Sequence, residues 1–302
     1  MSEPATPGLG PGLGPDLGAP RTLVSESQVE AMISLLTDSN DKVQAACRKG
    51  LRQHNELAEP LLRERLGETS GDEARVVRAA LLDVLGARLE PEMVSLLLRA
   101  PDLERGSLLL GRLVDPSARD DTVTAALDAM ADQVSAELDQ PGQDPDRDLS
   151  ALTAVLARQG GLAGARPESA DLQDVVLHGV CSRRRGIPLA LCTAWLLVAR
   201  RVGLPLRGVN MPGHFLLRHV RPDGHVVIDP FSGGRPVRDE DCRRFLSGAG
   251  YPAVDVALLD ATDRDMLLRT LRNLVMFGSR AGHRDLAARC ARILNALAAQ
   301  GT

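Results

Sequence analysis

The stretch Arg183–Gly234, RRRGIPLALCTAWLLVARRVGLPLRGVNMPGHFLLRHVRPDGHVVIDPFSGG, decides the fold of this 302-residue chain. Gly186-Ile187-Pro188 opens an apolar run that continues through Trp195 and Ala199 to Arg200-Arg201, with Gly203 as its stop. Proline in a first helical turn loses no hydrogen bond, and glycine past the last turn accepts the left-handed conformation that ends a helix. A helix this apolar is buried on most sides, which makes it the central helix of its domain. Beyond Gly203-Leu204-Pro205 the period changes to two. Leu206–Val209, Phe215–Val220 and Val226–Ile228 read as strands, and Arg221-Pro222-Asp223-Gly224 as the turn joining the last two. The expected fold class is α+β and predominantly helical, with a central helix packed on a small antiparallel sheet and helical segments on either side.

The hairpin carries the candidate chemistry. A loop over Arg221–Gly224 sets Val220 opposite His225 and His214 opposite Phe231. Asp229 lies two residues from Phe231, and side chains two apart on a strand share a face, so His214 and Asp229 become diagonal neighbours. A carboxylate beside an imidazole orients the ring and stabilises its charged form, as a histidine base requires. The plainer alternative stays open: a structural histidine, and an aspartate that caps the turn before Pro230.

Outward from this core, residues 1–24 carry a Gly-Leu-Gly-Pro quasi-repeat with little to bury, and are expected to be a disordered Gly/Pro-rich tail. A helix starts at Ser25 or Ser27, where SESQVEAM offers an N-cap serine and a glutamate three residues after it, a capping-box signature. Val43 and Val77, 34 residues apart, each open a V-x-A-A-x-x-x-x-L pattern. Small residues followed by a leucine let one helix lie close against the next, so 25–116 reads as HEAT-like helical repeats or as an ordinary bundle. Asp121–Leu138, Leu149–Arg158 and Asp171–Val180 are expected helices of a lead-in over 117–182, with QPGQDPDRD as a loop between the first two. A short helix over Asp239–Leu246 falls near the end of the 183–250 core. The tail of the chain, 256–302, reads as a tetratricopeptide-like helix pair that braces the core.

Composition excludes several classes. Hydrophobic residues make up 44% but aromatics only 2%, so core volume comes from Leu, Val, Ala and Ile, as suits helical layers. The net charge is −4 and there is no basic face interleaved with aromatics, so nucleic acid is not an expected partner. No apolar run reaches the roughly 20 residues that spanning a bilayer takes, and no signal peptide opens the chain, so no membrane partner and a cytoplasmic location are expected. The five cysteines form no metal spacing and read as free thiols.

The stretch RRGIP…ARR.GL…GV..PGHFL.R…IDPF.GG resembles the transglutaminase-like superfamily of papain-type folds, and within it the bacterial SirB-type branch. The similarity runs from about Val175 to Cys242 and more loosely back to Ser117, giving a transglutaminase-like domain over 117–255. Active members carry a cysteine in a G-x-C opening of the central helix, where the helix N-terminus lowers the thiol pKa and a His–Asp pair completes a triad. The resemblance implies that His214 and Asp229 fill two triad positions and that Pro188 occupies the nucleophile position, where no thioester can form. Cys192 lies four residues deeper on the same helical face, about 6 Å along the axis. Dipole assistance fades within the first turn, and burial among Leu191, Ala194 and Trp195 raises a thiol pKa. Cys192 is therefore either a core residue or a relocated nucleophile. The Arg183–Arg185 run is either an anion site or a carboxylate-paired connector.

The expected function is a non-catalytic, transglutaminase-like module that binds a protein or peptide partner. The alternative is a cysteine-dependent hydrolase or amide transferase using Cys192, His214 and Asp229. No cofactor or metal is implied, since two candidate ligands alone make no zinc site.

Overall fold

The computed structural model describes residues 24–138, 144–248, 250 and 259–300. Apart from Val24, the tail expected to be disordered lies outside the described residues, as do positions 140–143 of the expected loop. Helix α1 (Glu26–Ser34) takes Ser25 rather than Ser27 as its cap. The Ser25 hydroxyl accepts from the Gln28 amide, and the Gln28 side chain accepts from the Ser25 amide, a reciprocal capping box. Helices α2 (Asp41–Gln53), α3 (Asn55–Glu68), α4 (Gly71–Arg99), α5 (Leu103–Val114) and α6 (Asp120–Glu137) follow. The two V-x-A-A copies sit on α2 and α4, and α4 runs on through Pro91 for 29 residues.

Helix α7 (Pro145–Thr153) begins inside the segment that the sequence assigns to a loop. The Asp144 carboxylate accepts from the amides of Asp146 and Arg147, and Pro145 occupies the first turn, so these turn formers are the helix start itself. Strand β1 (Ala163–Gly164) comes next. The helix expected over Asp171–Val180 is broken at extended Val176 into a 3-10 turn, Leu172–Val175, and α8 (Leu177–Arg183). Gly179 permits the fold-back, because a Cβ there would lie 1.9 Å from the Gln173 carbonyl oxygen. Strand β2 (Arg185–Gly186) pairs in parallel with β1 and leads into α9 (Pro188–Arg201), with Pro188 in the first turn as expected.

Strands β3 (Leu206–Val209), β4 (Leu216–Arg221), β5 (Gly224–Asp229) and β6 (Arg235–Val237), helix α10 (Asp239–Gly248) and strand β7 (Asp260–Ala261) complete the sheet region. The sheet is antiparallel in the order β6-β5-β4-β3-β7. Val220 pairs with His225 and Leu217 with Ile228, the register derived from the hairpin. One face of the sheet packs on α9, whose side chains from Leu189 to Ala199 are all buried. The other face forms a smaller apolar cluster, Val209, Met211, Leu216 and Val227 with Cys242 and Leu246 of α10. Helices α11 (Asp263–Arg280) and α12 (Arg284–Ala298) close the chain, and a single hydrophobic core runs from Val29 in α1 to Leu297 in α12. Among the described residues, no helix is long and apolar enough to cross a membrane.

Candidate functional site

The geometry starts from the turn that enters β4. Gly213 has φ +74, a backbone conformation that costs glycine little, and the His214 amide donates to the Met211 carbonyl at 3.1 Å to close the turn. That turn carries the His214 ring to Asp229, Nε2 to Oδ1 at 3.0 Å, and Phe231 packs edge-on against the ring at 5.8 Å. Asp229 also caps the 3-10 turn Pro230–Ser232, accepting from the Phe231 amide at 3.0 Å and the Ser232 hydroxyl at 2.7 Å. The turn-capping aspartate and the imidazole-orienting aspartate are thus one residue. Burial raises the Asp229 pKa, but the hydrogen bonds from His214, Ser232 and Phe231 outweigh it and hold the carboxyl below its ordinary value.

At the start of α9, Pro188 is half-buried and lines an open cleft of about 400 Å³ together with Gly213, His214 and Phe231. Cys192, one turn deeper, has no exposed surface, is not among the cleft residues, and directs its thiol at the Phe215 carbonyl at 3.4 Å. Burial, with the nearby Asp229 charge, pushes that thiol well above its ordinary pKa, against a smaller opposing effect of Arg269. A thiol so placed stays protonated at neutral pH and is a poor nucleophile. The other four cysteines are also buried and free.

The far wall of the cleft comes from α11, which sequence reasoning treats only as a brace. Arg269, Asn273, Met276, Phe277 and Arg280 line it, at spacings of three and four residues that put them on one helical face. Arg269 is held in place by the Asn210 side chain, the Met211 carbonyl at 3.0 Å and the face of Phe215 at 5.5 Å. Met276 stays 39% exposed. The mixed character of this stripe hides it in the sequence, where it resembles neither a core face nor a charged face.

The arginine run resolves into a connector. Arg185 pairs with buried Asp174 at 2.9 Å, Arg183 with Asp171 at 2.6 Å, and Arg184 adopts the left-handed region (φ 56) that ends α8. None of the three lines the cleft. No group of three His, Cys, Asp or Glu side chains suited to a metal occurs among the described residues.

The chain is similar to a UPF0162 protein of Xylella fastidiosa, 39% identical over 149 residues, covering 47% of this chain and 53% of that protein. It is similar to a UPF0162 protein of Pseudomonas aeruginosa at 33% over 161 residues, covering 52% of this chain and 57% of the relative. Human F-box only protein 21 is 31% identical over 142 residues, 44% of this chain and 22% of that protein. The chain spans about half the length of the UPF0162 relatives it matches in Xylella. No solved structure matches. The family model described as the transglutaminase-like superfamily matches residues 121–272, half of the chain, and takes in α9, the sheet and the His214–Asp229 pair. The chain belongs to the transglutaminase-like superfamily.

Proposed function

We propose that this chain is a transglutaminase-like protein of the SirB type that binds a protein or peptide segment in the cleft beside His214 without turning it over. On this reading the 25–116 helices are HEAT-like, 117–255 is the transglutaminase-like domain, and 256–302 is a tetratricopeptide-like pair that supplies one wall of the cleft. The protein works in the cytoplasm, with neither nucleic acid nor membrane as partner.

One observation carries the reading. The residues that line the cleft from the first turn of α9 are Pro188 and Leu189, neither of which has a nucleophilic side-chain atom, while the nearest thiol on the Pro188 face, Cys192, is fully buried and hydrogen-bonded to Phe215. The His214–Asp229 pair keeps the geometry of an oriented imidazole, so the cleft retains a polar group at which a ligand can be held. The rival assignment, a thiol enzyme using Cys192, needs an accessible thiolate, and burial opposes both requirements.

Two measurements test this. Alkylation of Cys192 in the native protein near pH 6 is expected to be slow and unchanged by His214→Ala, and glutamine peptides are expected to release no ammonia. Ammonia release that disappears in Cys192→Ala overturns the non-catalytic reading. Selection of displayed random peptides on the full chain is expected to enrich sequences that no longer bind after Met276→Arg, and failure to enrich any overturns the binding reading.

A further inference from the structure

We propose that the ligand of this cleft is an extended peptide segment of about five residues whose carboxylate is held by Arg280; the inference rests on the peptide-binding reading above. Length comes from the wall. Arg269 and Arg280 are eleven residues apart on α11, about 16 Å at the helical rise, and a strand-like peptide covers that with about five residues at 3.3 Å each. The Arg269 end is the His214 end, because Arg269 donates to the carbonyl of Met211, three residues before His214. Arg280 stands at the opposite end, in the last turn of the helix.

Charge gives the sign. The chain carries 40 acidic against 36 basic side chains, yet among the described residues no Asp or Glu lines the cleft, whose ionisable groups there are Arg269, Arg280 and His214. The arginines that end α9 and the one on β3 are matched to carboxylates: Arg200 to Asp263, Arg201 to Glu104 and Asp128, Arg207 to Asp260. Arg280 is exposed and forms no ion pair among the described residues. A guanidinium at the edge of a concave apolar surface is suited to a carboxylate, which it engages through two parallel hydrogen bonds. Between the two arginines the wall is Asn273, Met276 and Phe277, and Pro167 and Ala170 also line the cleft. The middle of the segment is therefore apolar, with Asn273 available to a backbone amide or carbonyl.

The test uses the full chain and fluorescein-labelled hexapeptide pools with C-terminal amides, read by anisotropy. One pool has glutamate at both ends, a matched pool has lysine there, and both are randomised between over Ala, Leu, Pro and Gln. A third pool, uncharged but with a free C-terminal carboxylate, separates a side-chain from a terminal carboxylate. The glutamate pool is expected to bind about tenfold more tightly than the lysine pool at low salt, with the advantage shrinking near 0.5 M salt. Arg280→Glu is expected to move the preference to the lysine pool, and Arg280→Gln to leave the two pools nearly equal. Tighter binding of the third pool than of the glutamate pool assigns the carboxylate to a chain terminus, still through Arg280. Equal binding of the glutamate and lysine pools, or a preference unmoved by Arg280→Glu, overturns the inference while leaving the cleft a peptide site. Binding of none of the pools overturns both readings.

Discussion

Pro188 and Cys192 lie one helical turn apart on α9 and differ in everything that makes a nucleophile. Pro188 borders solvent at the helix N-terminus next to His214, whereas Cys192 is sealed beneath it. A thiol placed at the first position meets free backbone N–H groups, the positive end of the helix dipole and an imidazole held by Asp229. Pro188→Cys is therefore expected to create a thiol that alkylates near pH 6 at least about tenfold faster than Cys192, and to lose that advantage in combination with His214→Ala. Loss of the rigid proline costs about 0.4–1 kcal/mol, too little to unfold the protein. Mass spectrometry of the labelled peptides distinguishes the two thiols, and equal rates would show that the position does not activate a nucleophile. Asp229 gives a second expectation at this scale. Its folded pKa lies below its unfolded value, so its contribution to stability is complete above the ordinary aspartate range. As pH falls the unfolded chain takes up the proton first and that contribution is lost. Denaturant midpoints between about pH 4.5 and 2.5 are expected to fall more steeply in the native protein than in Asp229→Asn.

Elements differ in how openly the sequence declares them. The start of α9 and the β4–β5 register are local statements: Gly-Ile-Pro before an apolar run, and alternation around Pro222-Asp223. His214 and Asp229 follow from that register, so their meeting was legible. Strands β6 and β7 were not, because three and two residues are too few to establish a period. The split of α8 from its 3-10 turn depends on Gly179 against a backbone carbonyl, and the cleft wall on α11 depends on tertiary placement, neither of which is a local signal. The Gly233-Gly234 exit from the Asp229 turn is another such case. Gly234 has φ +78, and a Cβ there would lie 2.7 Å from the Trp195 ring and 2.8 Å from Thr153. Gly234→Ala combines a strained backbone with overpacking against the central helix, and is expected to cost about 2–4 kcal/mol. A denaturant titration followed by Trp195 fluorescence measures it; a loss below about 0.5 kcal/mol would mean that the turn and α9 adjust independently.

At the scale of the whole molecule, the question is whether the N-terminal helices and the transglutaminase-like core unfold as one unit. Helix α12 lies against α4, where the buried Arg289 donates to the Leu82 carbonyl and pairs with Asp83 at 2.6 Å. Gly86 makes the room, since a Cβ there would lie 2.4 Å from the Arg289 guanidinium. Helix α11 then reaches both sides: Arg264 donates to the Leu97 carbonyl at the end of α4, while the Asp263 carboxylate accepts from the Leu103 amide that opens α5 and pairs with Arg200 of α9 at 2.5 Å. The C-terminal pair is thus bound to the first helices and to the central helix at once, over a core that has no break between Val29 and Leu297. Arg289→Ala removes a charged donor from a buried carbonyl and a carboxylate, and is expected to cost about 2–3 kcal/mol. Because the contact joins α4 to α12 across 206 residues of sequence, the loss should appear equally in two probes. Trp195, the only tryptophan, reports on α9, and far-ultraviolet circular dichroism reports on all helices together. Coincident, equally shifted transitions are expected, as for a single cooperative unit. A circular-dichroism transition that precedes the fluorescence transition in Arg289→Ala would mean that α1–α4 unfold on their own and that α12 is their only effective tie to the core.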